Sequence, residues 1–208
     1  MTRYALGPQR EPHGRLVVMD SFLVDHGRIN HLDAHLARFA TSAKELLGIE
    51  VPALPDELVP QDGRHFPRLE TYEDGSVFWN VRPAPRLRTE TTLWIPPVED
   101  PRAHPTHKGP DHEMLGNLRE QAVEHGCDDA LLHSGGYVVE AANGAIIARD
   151  PSTGHFIVPP DDIPHLPSVT VGALKDVEKR ALTVAELQTM DAFYANALHG
   201  ITPITGYR

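Results

Sequence analysis

Apolar residues in this chain fall mostly into short runs rich in β-branched and aromatic side chains, and two longer stretches carry helical spacing. Leu16-Val17-Val18-Met19-Asp20-Ser21-Phe22-Leu23-Val24 reads as a strand by that composition. Asp25-His26-Gly27-Arg28 follows as a turn, with Gly27 supplying a positive φ. From Leu32 to Leu47 the period changes. Leu32, His35, Leu36, Phe39, Ala43, Leu46 and Leu47 share one helix face, and Asp33 near its start complements the helix dipole. His65 to Thr71 and Ser76 to Val81 alternate as two strands about a Glu73-Asp74-Gly75 hairpin turn, and Thr91 to Ile95 is one more strand. Met114, Leu115, Leu118 and Ala122 return to helical spacing, in a helix that follows the turn at Lys108 and ends near His125. Strands are expected at Ala130 to His133, Tyr137 to Ala141, Ala145 to Ala148, His155 to Val158 and Ala192 to Ala195. Between the last two, Leu182 to Leu187 is a short helix in which Thr183 and Glu186 suit a capping box. Residues 1 to 14, polar and containing Pro8 and Pro12, read as an arm.

Proline punctuates this pattern. The run from Pro96 to Pro105 reads as a linker, which divides the chain into a small α/β domain over residues 1–95, a connector over 96–107 and a larger β-rich domain over 108–208. The 208 residues suffice for one large or two small cores, and 40% hydrophobic with 23% charged residues is an ordinary globular composition. No apolar run approaches the roughly 20 residues that span a bilayer, and the N-terminus has no basic region followed by an apolar core. The single cysteine, Cys127, forms no internal disulfide and suits a cytoplasmic setting. A net charge of −10 argues against nucleic-acid binding. Thirteen histidines are scattered without the His-x-x-x-His or Cys-x-x-Cys spacing of a zinc site, so no metal is expected.

One lysine stands where the connector meets the second long helical pattern, in His107-Lys108-Gly109-Pro110-Asp111. About twenty residues on come Asp129-Ala130-Leu131-Leu132, then Gly135-Gly136-Tyr137-Val138-Val139-Glu140-Ala141-Ala142 and Asn143 to Ile147. The order of a lysine opening a helix, an acidic-Ala-Leu-Leu strand, and a strand ending in Glu before a small-residue Asn run resembles the class IV aminotransferases. These are the fold-type IV pyridoxal-phosphate (PLP) enzymes, including branched-chain and D-amino-acid aminotransferases and aminodeoxychorismate lyases. His35-Leu36-Ala37-Arg38-Phe39 is similar to their His-x-x-Arg-Leu, and Asn196-Ala197-Leu198-His199-Gly200-Ile201-Thr202-Pro203-Ile204 to their C-terminal segment. The resemblance runs from about residue 16 to the C-terminus.

The resemblance implies an α+β fold of type IV, with a small N-terminal α/β domain and a larger, β-barrel-like C-terminal domain. It implies PLP as cofactor, a small amine-bearing acid as substrate, and a homodimer. Lys108 would be the catalytic residue that forms the Schiff base, since a desolvated lysine serves as nucleophile and proton shuttle. Glu140 would face the pyridine nitrogen and keep it protonated. A buried, unpaired carboxylate is costly, so a partner for Glu140 is expected. Arg38, whose planar fork suits a phosphate, would hold the cofactor together with the amides of Val169 and Thr170 and with Asn196. Ser21, Arg68 and Arg82 are candidates for substrate binding. The chain departs from the pattern in three places. Asp111, His112 and Glu113 stand where relatives carry a tyrosine or arginine, and Ala197 stands in place of a hydroxyl residue. The span Val171 to Ala181 is too short for the relatives' helix plus strand. Two other readings share the fold: a cofactor-independent enzyme that reuses the pocket with Lys108, His107 or Glu113 as acid and base, and a binding protein that has lost PLP.

Overall fold

The computed structural model describes residues 2–8 and 11–208, which form two compact units, Met1–Leu87 with His107–Pro110, and Arg88–Thr106 with Asp111–Arg208. The elements of the first are β1 (Thr2–Ala5), β2 (Leu16–Ser21), β3 (Val24–Asp25), β4 (Arg28–Ile29), α1 (Leu32–Leu47), β5 (Arg64–His65), β6 (Arg68–Tyr72) and β7 (Val77–Val81). Four of them make an antiparallel sheet in the order β1-β7-β6-β2, and β4-β3-β5 make a small second one. Helix α1 has the span its periodicity predicts. It buries His35, Phe39, Ser42 and Ala43, while the flanking leucines are half-buried. Phe22, Trp79 and Leu69 complete that core, with Phe22 5.0 Å from the His35 ring and 5.5 Å from Trp79. Side chains of this size each stabilise the unit by roughly 1.5–3 kcal/mol on full burial.

Three local expectations are corrected here. Residues 2–5 are a strand, not part of an arm, because Thr2 to Ala5 pair with Val81 to Phe78 at the sheet edge. The run Leu16–Val24 ends its first strand at Ser21 and re-enters at Val24, where it pairs with β4 and β5. The strand expected over His65–Thr71 is two, since Pro67 offers no N–H to a ladder. The turn between β3 and β4 places His26 at φ 50° and Gly27 at φ 76°, the left-handed pair of a tight hairpin.

The second unit holds β8 (Thr91–Trp94), α2 (His112–Glu124), β9 (Asp129–Ser134), β10 (Tyr137–Ala141), β11 (Ala145–Arg149), β12 (Phe156–Val158), α3 (Val169–Gly172), β13 (Val177–Lys179), α4 (Val184–Leu187), β14 (Ala192–Asn196) and β15 (Gly200–Tyr207). Its sheet runs β10-β9-β8-β15-β14-β11-β12-β13. An isolated bridge from Ala141 to Gly144 brings the end of β10 to the start of β11, so the sheet curls into a half-barrel. Leu131 packs with Leu93, Ile146 and Ile157 on one face, while Ala130 and Leu132 pack with Leu118 and Ala122 of α2 on the other. That is the period-two alternation of a sheet covered on both sides. Thr183 caps α4 through the reciprocal bonds with Glu186 that the sequence predicts. The span after Val169 does accommodate a helix and a strand, each cut to a minimum: α3 is a single turn and β13 has three residues. The C-terminal strand β15 was not assigned from the sequence; Gly200, Thr202 and Pro203 interrupt its apolar pattern.

Candidate active site

In the first unit the lysine turn is tied to β2. The Lys108 carbonyl accepts the Met19 N–H at 2.8 Å, and Gly109, at φ 143°, lies flat against the same strand. A Cβ there would meet Val17 O at 2.4 Å and Val18 Cα at 2.7 Å, so only glycine permits the approach. Helix α2 begins at His112, four residues beyond the lysine. The residue after Met19 is Asp20, which is fully buried. Arg38 grips it side-on, Nε to Oδ2 at 2.8 Å and Nη2 to Oδ1 at 2.9 Å, and His35 Nδ1 lies 3.0 Å from Oδ1. Burial pushes the Asp20 carboxyl up, but the His35 hydrogen bond and the Arg38 charge outweigh it and hold the group below the usual carboxylate range. Arg38 is therefore a largely buried partner of Asp20, its side chain 13% exposed. Asp20 and its role were missed in the sequence. The available signal was an acid inside an apolar strand, with His35 and Arg38 one turn apart on the facing helix.

Ser21 and Arg68 are cross-strand neighbours on one face of the sheet, in a row that continues through Asn80 to Arg3. Arg68 Nε donates to Glu70 Oε1 at 2.5 Å, and Tyr72 Oη and Arg3 Nη2 reach Glu70 Oε2 at 2.9 and 3.3 Å. Arg82 donates Nε to the Phe66 carbonyl at 3.1 Å, and burial and the nearby Arg68 charge lower its pKa. The structure thus groups Ser21, Arg68 and Arg82, and it sets Lys108 beside β2, the strand that carries Asp20, the carboxylate held by Arg38 of α1.

In the second unit Glu140 owes its position to a β-bulge. Val138 pairs with His133 but Glu140 with Leu132, so Val139 is the extra residue. Strict alternation from Val138 would send Glu140 to the apolar core of Leu131. The bulge turns it to the face of Leu132 instead. There Oε1 accepts both Arg102 Nη1 at 2.6 Å and the Leu166 N–H at 2.9 Å. Arg102 is the expected partner of Glu140, and it in turn is clamped by Asp100. Burial raises the Glu140 pKa, against the opposing pull of Arg102 and Leu166. Three residues after Leu166, Val169 and Thr170 open α3, whose turn is closed by Ser168 Oγ accepting the Val171 N–H. Their own amides are among those a helical turn leaves unpaired.

Asn196 is committed to its own turn. Its Oδ1 accepts the Leu198 and His199 N–H groups, and its Nδ2 donates to Tyr194 Oη and to the Asn143 carbonyl. Tyr194 Oη donates to the fully buried Asp129 at 2.8 Å, and burial raises both of their pKa values. Among the described residues no cluster of His, Cys, Asp and Glu could hold a metal ion, and no helix is long and apolar enough to cross a membrane.

A mixed two-unit chain with a curled eight-stranded sheet and a lysine turn ahead of its longest β-rich stretch defines the fold-type IV class. The family model for amino-transferase class IV matches residues 60–207. The chain belongs to that family of enzymes, which comprises aminotransferases and aminodeoxychorismate lyases. Solved structures agree in fold at low identity. A hypothetical aminotransferase from Mycobacterium tuberculosis in its PLP-bound form is 19% identical at a TM-score of 0.80, over 99% of this chain and 90% of that one. A putative 4-amino-4-deoxychorismate lyase from Legionella pneumophila is 17% identical at 0.77, over 93% and 83%. A branched-chain aminotransferase from Thermoproteus uzoniensis with norvaline is 20% identical at 0.77, over 91% and 77%. No curated protein matches the chain by sequence.

Proposed function

We propose that this protein is a PLP-dependent enzyme that acts on a small amine-bearing acid, by amino transfer or by the lyase reaction. PLP supplies an electron sink for charge developed at the substrate carbon. The observation that carries the reading is Glu140. It sits in a buried cluster of two carboxylates and one guanidinium, and its two recorded bonds fall on the same oxygen, Oε1. A cluster with one excess negative charge, and one carboxylate oxygen that takes none of these bonds, fits a cationic N–H such as a protonated ring nitrogen. In this reading Lys108 would be the residue that holds the cofactor through its amine and that, once free, would move a proton at the substrate carbon. Arg38 would hold the phosphate through its guanidinium, and the Val169 and Thr170 amides would add neutral donors. Asn196 supports the site by fixing the β14–β15 turn. Ser21, Arg68 and Arg82 receive the substrate carboxylate. The PLP-bound relative from Mycobacterium tuberculosis, similar in fold, supports the choice of cofactor. We further infer a two-fold homodimer, checked by sedimentation at micromolar concentration.

The test is direct. Purified protein given PLP should develop a near-ultraviolet or visible band, and borohydride should fix one PLP per chain on Lys108 by mass spectrometry. Lys108→Ala and Lys108→Arg should both abolish the band and the adduct, since a guanidinium stays protonated and does not add to an aldehyde. Wild-type protein with no band and no adduct would return the site to a cofactor-independent role.

A further inference from the structure

The Glu140 carboxylate is held by a residue of the Pro-rich connector that bears no mark of chemistry in the sequence. Arg102 is almost fully buried, with 4% of its side chain exposed. Its guanidinium is engaged on every side. Nε lies 2.9 and 3.1 Å from the two oxygens of Asp100, Nη2 donates to Asp100 Oδ2 at 2.6 Å, and Nη1 donates to Glu140 Oε1 at 2.6 Å and to the Pro105 carbonyl at 3.4 Å. Asp100 is fixed in turn. Its N–H donates to the His133 carbonyl of β9 at 2.8 Å, and its Oδ1 accepts the Arg102 N–H at 3.2 Å. A planar fork with this many bonds has one orientation, so Oε1 of Glu140 has one position.

We propose that Arg102, clamped by Asp100, is a positioning residue that holds Glu140 by Oε1 and keeps it a carboxylate, so that Oε2 serves the cofactor's ring nitrogen. The proposal rests on the PLP reading above for the role of Oε2, but not for the state of Glu140. The charged and titratable groups around Glu140 are Arg102 and Asp100 from the segment after β8, and His165 from the loop after β12. His165 Nδ1 lies 2.6 Å from the Ile163 carbonyl, which favours the tautomer with its proton on Nδ1. Burial drives Glu140 toward the neutral acid, Asp100 adds a like charge, and Arg102 supplies the largest opposing charge. A protonated Glu140 is neutral and cannot stabilise a charged ring nitrogen. Arg102 thus favours the ionised acid through its bond to Glu140 Oε1, with the Leu166 N–H acting in the same sense.

The experiment uses full-length, PLP-free protein labelled with 13C at the glutamate side-chain carboxyl, with Glu140→Gln to assign the resonance. Wild-type Glu140 should be a carboxylate at pH 7. In Arg102→Gln its titration should move up by at least about one pH unit, which corresponds to a tenfold change in ionisation, and Arg102→Lys should restore much of the wild-type behaviour. If Arg102→Gln does not fold, the wild-type and Arg102→Lys titrations decide. A wild-type Glu140 that is protonated at pH 7, or a titration in Arg102→Gln identical to that of the wild type, overturns the proposal. A purely structural salt bridge would weaken Arg102→Gln in unfolding while leaving its Glu140 titration where it stands in the wild type. The second readout loads PLP labelled with 15N in the ring. The nitrogen should be protonated in the wild type and lose its proton in Arg102→Gln. Wild-type protein that titrates as expected but takes up no PLP overturns the cofactor reading and the role of Oε2, while the pairing of Arg102 with Glu140 stands.

Discussion

Gly109→Ala should dislodge Lys108 without touching its side chain. The added Cβ would lie 2.4 Å from Val17 O, 2.7 Å from Val18 Cα and 3.0 Å from Met19 N. All three are backbone atoms of β2, which pairs with β6 on either side of a bulge at Val17, so none yields by a rotamer change. An alanine at φ 143° also occupies a region that costs an L-residue about 1–3 kcal/mol. The turn escapes the clash by lifting from β2, which breaks the 2.8 Å bond from Met19 N–H to the Lys108 carbonyl. A donor stranded in this way costs a further 1–3 kcal/mol or so. The two together give about 2–6 kcal/mol, a large part of the roughly 5–15 kcal/mol that holds a domain together. Urea unfolding of PLP-free protein measures the global part, and amide exchange at Met19 reads the local one. The yield of borohydride-fixed cofactor on Lys108 reports whether the amine has moved. A variant with unchanged midpoint, a protected Met19 amide and wild-type adduct yield would refute the close packing of this turn.

Arg38→Ala leaves Asp20 buried with only His35 beside it and should cost about 3–5 kcal/mol in urea unfolding, the range for breaking a buried pair; its loss of PLP affinity, by about 1.5–3 kcal/mol, is measured separately by titration. The sign of the pH dependence follows from the lowered Asp20 pKa. Its stabilisation is complete above the unfolded value near 3.8 and is lost as pH falls through the still lower folded value, so wild-type protein should resist acid below pH 4 better than Arg38→Ala, as followed by circular dichroism. Thr183→Ala removes both halves of the α4 capping box and should lower stability by about 0.5–2 kcal/mol in the same urea assay. Gly144→Ala would place a methyl 2.5 Å from the buried Tyr194 ring and should cost about 1–3 kcal/mol, with Asp129→Asn failing to relieve it because the clash is steric.

The sequence made α1 legible to the residue because seven apolar or half-apolar positions repeat at helical spacing and Gly48 follows directly. It made the α4 capping box legible because Thr183 and Glu186 are three apart. Edge strands were harder. Thr2–Ala5 carries an arginine and lies between no turn signals, and its partner β7 is more than seventy residues away. Strand β15 contains two glycines and a proline yet forms the longest strand of the chain, because its ladder with β14 and β8 is a tertiary fact. At the site, Lys108, Glu140 and Arg38 stood out by order and spacing. Asp20 and Arg102 did not, since each acts through a partner distant in sequence: eighteen residues separate Asp20 from Arg38, and thirty-eight separate Arg102 from Glu140. The cost of burying a carboxylate predicts that such partners exist, and only the fold names them.

The bulge at Val139 makes the position of Glu140 a matter of counting. A strand distributes its residues to two faces by parity, and one extra residue has switched the parity of everything beyond it in β10. Exchanging Val139 for another β-branched residue leaves that count intact. Deleting it leaves Glu140 opposite Leu132, because Val139 is the surplus residue and Val138 already pairs with His133. At this point β10 therefore has one residue to spare, and the loss of that residue does not turn the acid over. The damaging change is one that flattens the bulge at constant length: Val139 would then pair with Leu132 and Glu140 with Leu131, facing Leu93 and Ile146 and turned away from Arg102.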